Sequence, residues 1–239
     1  DDLVTHADER GEDYLRASLS AITPDACFIG EEGVASGRDH IQQLENERGA
    51  FWIADPIDGT YNFAHGRRDF AVMLAYVENG QTLFGGIYDP LRDQMTNAVR
   101  GQGAYCENVR LGGNTAQPEL SEAAGYVAIQ LMPGQLREGY ADMATQAGNV
   151  RSLRCCGHEY LAIAHGYSNF AIYNKCMPWD HLAGTLIIRE CGGIAAKWDG
   201  TAFTPADTNQ SLLIASDDQL WHEIHEKWLK SCGYHTLSP

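Results

Sequence analysis

Residues 51–60 read FWIADPIDGT, an apolar run that ends in two carboxylates and a threonine. The first four of these residues predict a short buried strand. A proline stiffens the chain between Asp55 and Asp58, and Gly59 permits a sharp turn before Thr60. Two acids at the end of a buried strand are costly unless a positive charge lies beside them. Clustered oxygen ligands suit Mg²⁺, so the stretch predicts a magnesium site, although acids in the first turn of a helix are an alternative interpretation.

Two further acidic clusters support the metal interpretation. Residues 30–33 read GEEG, and residues 178–184 read PWDHLAG with Asp180 near the start of a predicted helix. Each cluster is joined to an apolar segment, which is not typical of a solvated acidic surface.

Composition limits the function classes that fit this chain. The 239 residues are enough to bury a substantial core, and the formal net charge of −15 argues against binding nucleic acid through its phosphates. No apolar run is long enough to cross a membrane, and the chain opens without the basic region of a signal peptide. Seven cysteines without a C-x-x-C spacing favour free thiols, and therefore a cytoplasmic location.

Hydrophobic periodicity predicts a mixed fold of helices and strands. A helix is expected over about residues 6–21, and three apolar runs separated by turn signals predict an antiparallel meander between residues 70 and 98. Helices and strands alternate after residue 120, and Ser216 is expected to cap the last helix. This order predicts an α+β fold of layered sheets, with helices between and outside them.

The acidic clusters together resemble the inositol monophosphatase family of metal-dependent, typically lithium-sensitive phosphatases. The matching segments follow the family's order along nearly the whole chain, at residues 3–8, 30–32, 52–66 and 179–193. The resemblance implies a layered α-β-α-β-α sandwich of the inositol monophosphatase and fructose-1,6-bisphosphatase type. It also implies an N-terminal metal-binding α+β half with an antiparallel sheet (residues 1–120) and a C-terminal α/β half (121–239), which together form one compact catalytic unit.

The resemblance assigns two or three Mg²⁺ ions to specific groups. Glu31, Asp55 and the carbonyl of Ile57 are expected to hold the first ion. Asp55, Asp58 and Asp180 are expected to hold the second, and a third, weaker ion would depend on Glu31.

The remaining expected roles concern the attacking water and the substrate. Asp8 and Thr60 are expected to hydrogen-bond the water, and Glu31 to act beside them in catalysis. The backbone N–H groups of Gly59 and Thr60 are expected to bind phosphate, with Asp180 and Tyr173 beside the substrate. Asp8 has another explanation, because Thr5 and Asp8 also fit a helix capping box.

The expected activity is Mg²⁺-dependent hydrolysis of a small soluble phosphate monoester by a homodimer, with inositol monophosphate as the leading substrate. Family members that act on inositol phosphates typically carry a glutamate where this chain has Tyr173, and a phenol does not accept polyol hydrogen bonds as a carboxylate does. Lys175 suggests a more anionic substrate. A 3′(2′),5′-bisphosphate nucleotide, histidinol phosphate or a sugar bisphosphate therefore remains open.

Two other classes of protein share some of these sequence features. Phosphatases of the haloacid dehalogenase type use a D-x-D-G-T loop, but Asp55 and Asp58 are one residue further apart than that loop requires. A catalytically silent, regulatory binding protein would usually have lost at least one ligand, whereas Glu31, Asp55, Asp58, Thr60 and Asp180 are all present.

Overall fold

The computed structural model describes residues 3–46, 48–112, 118–129, 132 and 134–230. The helices are α1 (His6–Ile22), α2 (Glu31–Ala35), α3 (Thr60–Ala64), α4 (Gly134–Gln146), α5 (Cys156–Ala164), α6 (Pro178–Glu190) and α7 (Asp218–Ile224), which continues as a π-helical turn over His225–Leu229. The strands of the first half are β1 (Cys27–Gly30), β2 (Ala50–Asp58), β3 (Ala71–Glu78), β4 (Gln81–Asp89), β5 (Gln94–Val99), β6 (Gly103–Cys106) and β7 (Val109–Arg110). Those of the second half are β8 (Ala124–Val127), β9 (Asn149–Arg151), β10 (Phe170–Cys176), β11 (Ile194–Lys197) and β12 (Gln210–Ala215).

The strands form two sheets. The seven-stranded sheet keeps the chain order β1 to β7; its β1–β2 pair is parallel and the others are antiparallel. The predicted meander is confirmed by β3, β4 and β5. The five-stranded sheet has the order β11-β12-β10-β8-β9, with parallel pairs among β10, β8 and β9. The predicted boundary at residue 120 lies between the two sheets and stays a prediction.

Helices occupy three layers around the sheets. Helix α6 packs against β2 to β6 on one side and β11 on the other, with α5 beside it. Helix α1 packs on the opposite face of the first sheet against β2, and α7 packs against β12. Three groups of buried apolar side chains fill the interfaces between these layers. The expected α-β-α-β-α arrangement is confirmed.

A glycine permits close packing between β4 and the central helix layer. A Cβ atom built at Gly85 would lie 2.7 Å from the carbonyl oxygen of Ala183, closer than such atoms approach. Strand β4 therefore contacts α6 backbone to backbone at this point. That contact helps to fix α6, the helix that carries Asp180 in its first turn.

Strands β2 and β10 each contain an additional residue near their C-terminal ends, where their pairing register shifts. Asp55 of β2 lies opposite Met73, whereas Asp58 lies opposite Ala71. In the second sheet, Tyr173 of β10 lies opposite Leu212, whereas Cys176 lies opposite Gln210. Each of these strands therefore contains one more residue than its partner over the shifted segment.

The ends of two helices bear on the sequence predictions. The capping box at the start of α1 is present, since Asp8 Oδ2 accepts the backbone N–H of Thr5 at 2.7 Å. The prediction for α7 was wrong by one residue: Asp217, and not Ser216, caps it by accepting the Leu220 N–H at 2.9 Å. Within the described residues, each helix is too short or too polar to cross a membrane.

Candidate metal centre

Asp55 and Asp58 lie side by side at the end of β2, and both are buried. Asp55 Oδ1 accepts the backbone N–H of Ile57 at 2.8 Å. Burial is the main reason why the pKa of Asp55 is raised well above its usual range, and the nearby carboxylates of Glu31, Asp58 and Asp180 raise it further. A carboxylate in this environment is stabilised as an anion only by added positive charge.

The carboxylates converge from three separate elements. One ligand atom from each of Glu31, Asp55 and Asp180 lies within 4.8 Å of the others, and a second such group consists of Asp58, Cys156 and Asp180. Asp180 belongs to both groups, whereas the expected assignment shares Asp55 between the two ions; that assignment stays a prediction. The donors are mainly carboxylate oxygens, which are the ligands that Mg²⁺ prefers. The residues therefore fit the cation that the resemblance implies.

The N-terminus of α5 encloses Asp58. The Asp58 carboxylate accepts the Gly157 N–H at 2.5 Å, the Cys156 N–H at 3.2 Å and the Cys155 thiol at 3.0 Å. Burial, followed by the charge of Asp58, raises the pKa of both thiols well above the usual value, so they act as donors. Sequence reasoning missed these contacts because they join residues almost 100 positions apart.

Thr60 connects α1 to the end of β2. Its hydroxyl lies 3.1 Å from Asp8 Oδ1 and 3.0 Å from the carbonyl oxygen of Ile57. The other oxygen of Asp8 forms the capping box, so one carboxylate serves both interactions. The two explanations of Asp8 offered by the sequence are therefore compatible.

The turn before Thr60 requires glycine. Gly59 has φ +89, in the left-handed region, and a Cβ atom there would lie 2.9 Å from the carbonyl oxygen of Asp69. A larger residue would push α3 away from the segment that contains Cys155.

Two buried acids that the sequence analysis missed hold the loop around Glu31. Glu12 accepts the N–H groups of Glu32 and Gly33 at 2.9 and 3.2 Å, and Asp39 accepts that of Gly30 at 2.8 Å. Arg16 pairs with both acids, and Arg38 pairs with Glu12. The only signal in the sequence was the i, i+4 spacing of Glu12 and Arg16, which is typical of a surface ion pair.

Tyr173 lies in the core between β10 and the helix layer. Its side chain belongs to the buried cluster, and its ring lies 5.9 Å from that of Tyr160 and 4.8 Å from that of His181. Burial, followed by the charge of Glu159, raises the pKa of Tyr173 well above its usual value. Only 6% of the residue is exposed, and its predicted contact with substrate stays a prediction.

Glu159 is a further buried carboxyl near the site. It accepts the Leu153 N–H at 2.8 Å, and burial raises its pKa to about 7. Nearby, burial lowers the pKa of His181 to about 3, so its imidazole is neutral, and Nδ1 lies 3.0 Å from the Tyr160 hydroxyl. Glu159 and His181 are thus buried polar neighbours of Tyr173 on β10.

The structure brings together most of the residues predicted for the site. Glu31, Asp55, Asp58 and Asp180 form the acidic cluster, while Asp8, Thr60 and the Ile57 carbonyl form a hydrogen-bonded group beside it. The individual roles of these residues, of Gly59 and of Tyr173 stay predictions.

The chain belongs to the inositol monophosphatase family, whose pattern matches residues 1–233. The expected resemblance is confirmed, and the membership makes the chain a phosphatase of the hydrolase class.

Individual relatives agree with this assignment. An inositol-1-monophosphatase of Bacillus subtilis (strain 168) is 32% identical over 231 residues, covering 95% of this chain and 84% of that protein. A protein of Vibrio cholerae serotype O1 named Nus factor SuhB is 32% identical over 208 residues, covering 83% and 73%. The solved structure of a dual specific IMPase/NADP phosphatase bound with D-inositol-1-phosphate superposes with a TM-score of 0.85 at 25% identity, covering 98% and 86%.

Proposed function

We propose that this protein is a Mg²⁺-dependent phosphomonoesterase that hydrolyses a small soluble phosphate, with inositol monophosphate as the leading substrate. The observation that carries the proposal is the burial of Asp55 and Asp58 at one strand end. In the described part of the chain, neither forms an ion pair with lysine or arginine. Two buried acids in this arrangement call for a bound cation.

The residues of the chain divide the work of hydrolysis. Glu31, Asp55, Asp58, Asp180 and the Ile57 carbonyl would hold Mg²⁺, which when bound would acidify water and stabilise negative charge on the phosphate and leaving group. Thr60 and Asp8 form a hydrogen-bonded pair 3.1 Å apart that orients the attacking water. The backbone N–H groups of Gly59 and Thr60 bind phosphate oxygens.

Asp58 is held for this purpose by the start of α5. Three donors fix its carboxylate, which leaves little freedom for its orientation. A ligand that is already oriented loses less entropy when the cation binds. The contact between the two halves of the chain therefore preorganises the site.

The family relatives support the substrate class. The names of two relatives include inositol-1-monophosphatase and a dual specific IMPase/NADP phosphatase. The intact set of acids favours catalysis over a silent binding role, although other relatives are named Nus factor SuhB. The homodimer, the cytoplasmic location and lithium sensitivity stay predictions.

Phosphate release tests the proposal. Inositol 1-phosphate, adenosine 3′,5′-bisphosphate, histidinol phosphate and fructose 1,6-bisphosphate are each incubated with the protein, with Mg²⁺, with chelator, and with Mg²⁺ plus Li⁺. We expect Mg²⁺-dependent turnover of at least one compound and a loss of at least about 100-fold in the Asp58→Asn variant. Asp25→Asn, at an exposed turn before β1, serves as the matched control. A folded protein without turnover, or a fully active Asp58→Asn variant, contradicts the proposal.

A further inference from the structure

Three cationic or titratable side chains surround Tyr61, the residue that follows Thr60. The Arg154 guanidinium lies 4.2 Å from the centre of the Tyr61 ring, and that of Arg67 lies 5.3 Å from it. The His65 ring is stacked at 4.1 Å. We call Tyr61, His65, Arg67 and Arg154 the arginine stack.

The arginine stack lies directly beside the acidic site. Arg154 precedes Cys155, whose thiol donates to Asp58 at 3.0 Å. The backbone carbonyl of Arg154 accepts a hydrogen bond from the Asn62 side-chain amide at 3.3 Å, which connects residues 154–155 to α3. The stack is therefore connected to the site at two points: Tyr61 follows Thr60 in the chain, and Arg154 precedes the cysteine that donates to Asp58.

The backbone of Arg154 is strained. Its φ is +57, in the left-handed region that glycine occupies without steric cost. Asparagine and aspartate, which also occupy this region in the chain at Asn79, Asp93 and Asn209, tolerate it well. Two other long side chains, Glu107 and Lys175, also adopt this region, so the left-handed backbone restricts Arg154 without by itself marking a functional site.

Both arginines are available to an anion. Arg67 and Arg154 are exposed, and in the described ranges neither pairs with a carboxylate, although the chain has a net charge of −15. A guanidinium held over an aromatic ring can still bind phosphate with two hydrogen bonds from its N–H groups. The groups already packed around Tyr61 disfavour a stacked nucleobase as the ligand.

We propose that the arginine stack binds a second phosphate carried by the alcohol part of the substrate, so that this chain prefers bisphosphates over inositol monophosphate, the leading substrate by family resemblance. This inference rests on the proposed phosphomonoesterase function. The hydrolysed phosphate occupies the metal centre, while Arg154 and Arg67 hold the phosphate that is retained.

Matched pairs of substrates test the inference. Adenosine 3′,5′-bisphosphate is compared with adenosine 3′-phosphate, and fructose 1,6-bisphosphate with fructose 1-phosphate. The wild-type ratio of kcat/KM, bisphosphate over monophosphate, is expected to exceed ten for at least one pair. In Arg154→Asn, which suits the left-handed backbone, that ratio should fall roughly tenfold, mainly through KM, as loss of a charge-assisted hydrogen bond implies. Arg67→Gln should lower it in the same direction.

Arg151→Gln is the matched control. Arg151 is also exposed and also lies over a tyrosine ring, 5.3 Å from Tyr126, but on strand β9 of the second sheet. We expect it to leave the ratio within twofold of wild type. Thermal unfolding verifies that all three variants are folded.

Calorimetric affinities for the same compounds separate the two proposals. If wild type binds bisphosphates more tightly than monophosphates and Arg154→Asn does not, the proposed role of the arginine stack is supported. This holds even if no compound is hydrolysed, and then only the phosphatase proposal fails. The proposed role of the arginine stack is wrong if both members of each pair are hydrolysed with equal kcat/KM, or if the ratio is unchanged in Arg154→Asn. Either result leaves the phosphatase proposal intact.

Discussion

Two pairs of buried acids within the first 60 residues differ in how their charge is balanced. Glu12 and Asp39 pair with Arg16, at 3.1 and 2.6 Å, and Glu12 also pairs with Arg38. Asp55 and Asp58 are equally buried, but in the described residues they have only N–H and thiol donors and other acids around them. The first pair is complete without a ligand, whereas the second has the environment expected of the proposed cation site. Burial alone therefore does not distinguish a structural acid from a metal ligand, and the neighbouring charge does.

The largest expected effect is a loss of folding stability when one of the arginine-paired acids is replaced. Glu12→Gln removes the charge that Arg16 and Arg38 face, and weakens the acceptor that holds the Glu32 and Gly33 N–H groups. Breaking a buried ion pair on one side costs about 3–5 kcal/mol. We expect a loss of that order in the free energy of unfolding, measured with urea at pH 7.

Arg38→Gln is the control for that measurement. Arg38 has a side-chain exposure of 43%, and Arg16 still faces Glu12 in this variant. The expected loss is below about 1 kcal/mol. Equal losses in Glu12→Gln and Arg38→Gln would show that burial of the acid does not set the size of the effect.

Glu159 is a third type of buried acid, one whose burial favours the protonated form, and its effect on stability depends on pH. Its pKa is about 7 in the folded state against an ordinary 4.5, so the folded protein holds the proton more tightly. The stability from this group is complete below about pH 4.5 and is lost as pH rises through 7. Glu159→Gln should remove this pH-dependent loss in the free energy of unfolding, which amounts to about 2–3 kcal/mol between pH 5 and 8.

Urea unfolding of both proteins at pH 5 and pH 8 measures the difference. Glu119→Gln, at an exposed glutamate, should retain the wild-type pH dependence. A parallel decline in wild type and Glu159→Gln would mean that Glu159 is ionised in the folded state at both pH values.

The smallest effect, and the most diagnostic, concerns Asp55. Because its pKa is raised, ionised Asp55 destabilises the metal-free fold as pH rises, and asparagine removes that cost. At pH 8 in chelator, Asp55→Asn should therefore be more stable than wild type, measured as a higher midpoint of urea unfolding.

Added Mg²⁺ should reverse that order. Ligands that bind only the folded state raise its stability, so wild type should gain thermal stability with Mg²⁺ while Asp55→Asn gains less. Thermal unfolding with and without Mg²⁺ measures both changes. An Asp55→Asn variant less stable than wild type in chelator would place Asp55 with Glu12, as a structural acid.

Sequence alone predicted the parts of the site that are local in the chain. The run from Phe51 to Thr60 shows its strand, its turn and its carboxylates in consecutive residues, although β2 continues to Asp58 and does not end at Ala54 as predicted. The layered fold followed from the family resemblance. The capping box of α1 was also readable, because Thr5 and Asp8 are three residues apart.

The remaining parts depend on contacts between distant segments. No spacing in the sequence brings Cys155 to Asp58, or shows that Glu12 is buried among arginines. The strain at Arg154 is also invisible in the sequence, since an arginine gives no sign of a left-handed backbone. Such features need the packing of two sheets and a helix layer, which local patterns do not specify.

The one-residue shift in β2 makes the site sensitive to the length of the chain. In a regular strand, alternate side chains face opposite sides, so residues three apart such as Asp55 and Asp58 would point away from each other. The additional residue on β2 restores a common side, and Pro56, which has no N–H to contribute to the ladder, lies within the interrupted segment. Insertion of a single residue between the two acids, with the same one-residue bulge kept, would therefore turn the second acid to the opposite face of the sheet, while leaving every ligand present in the sequence.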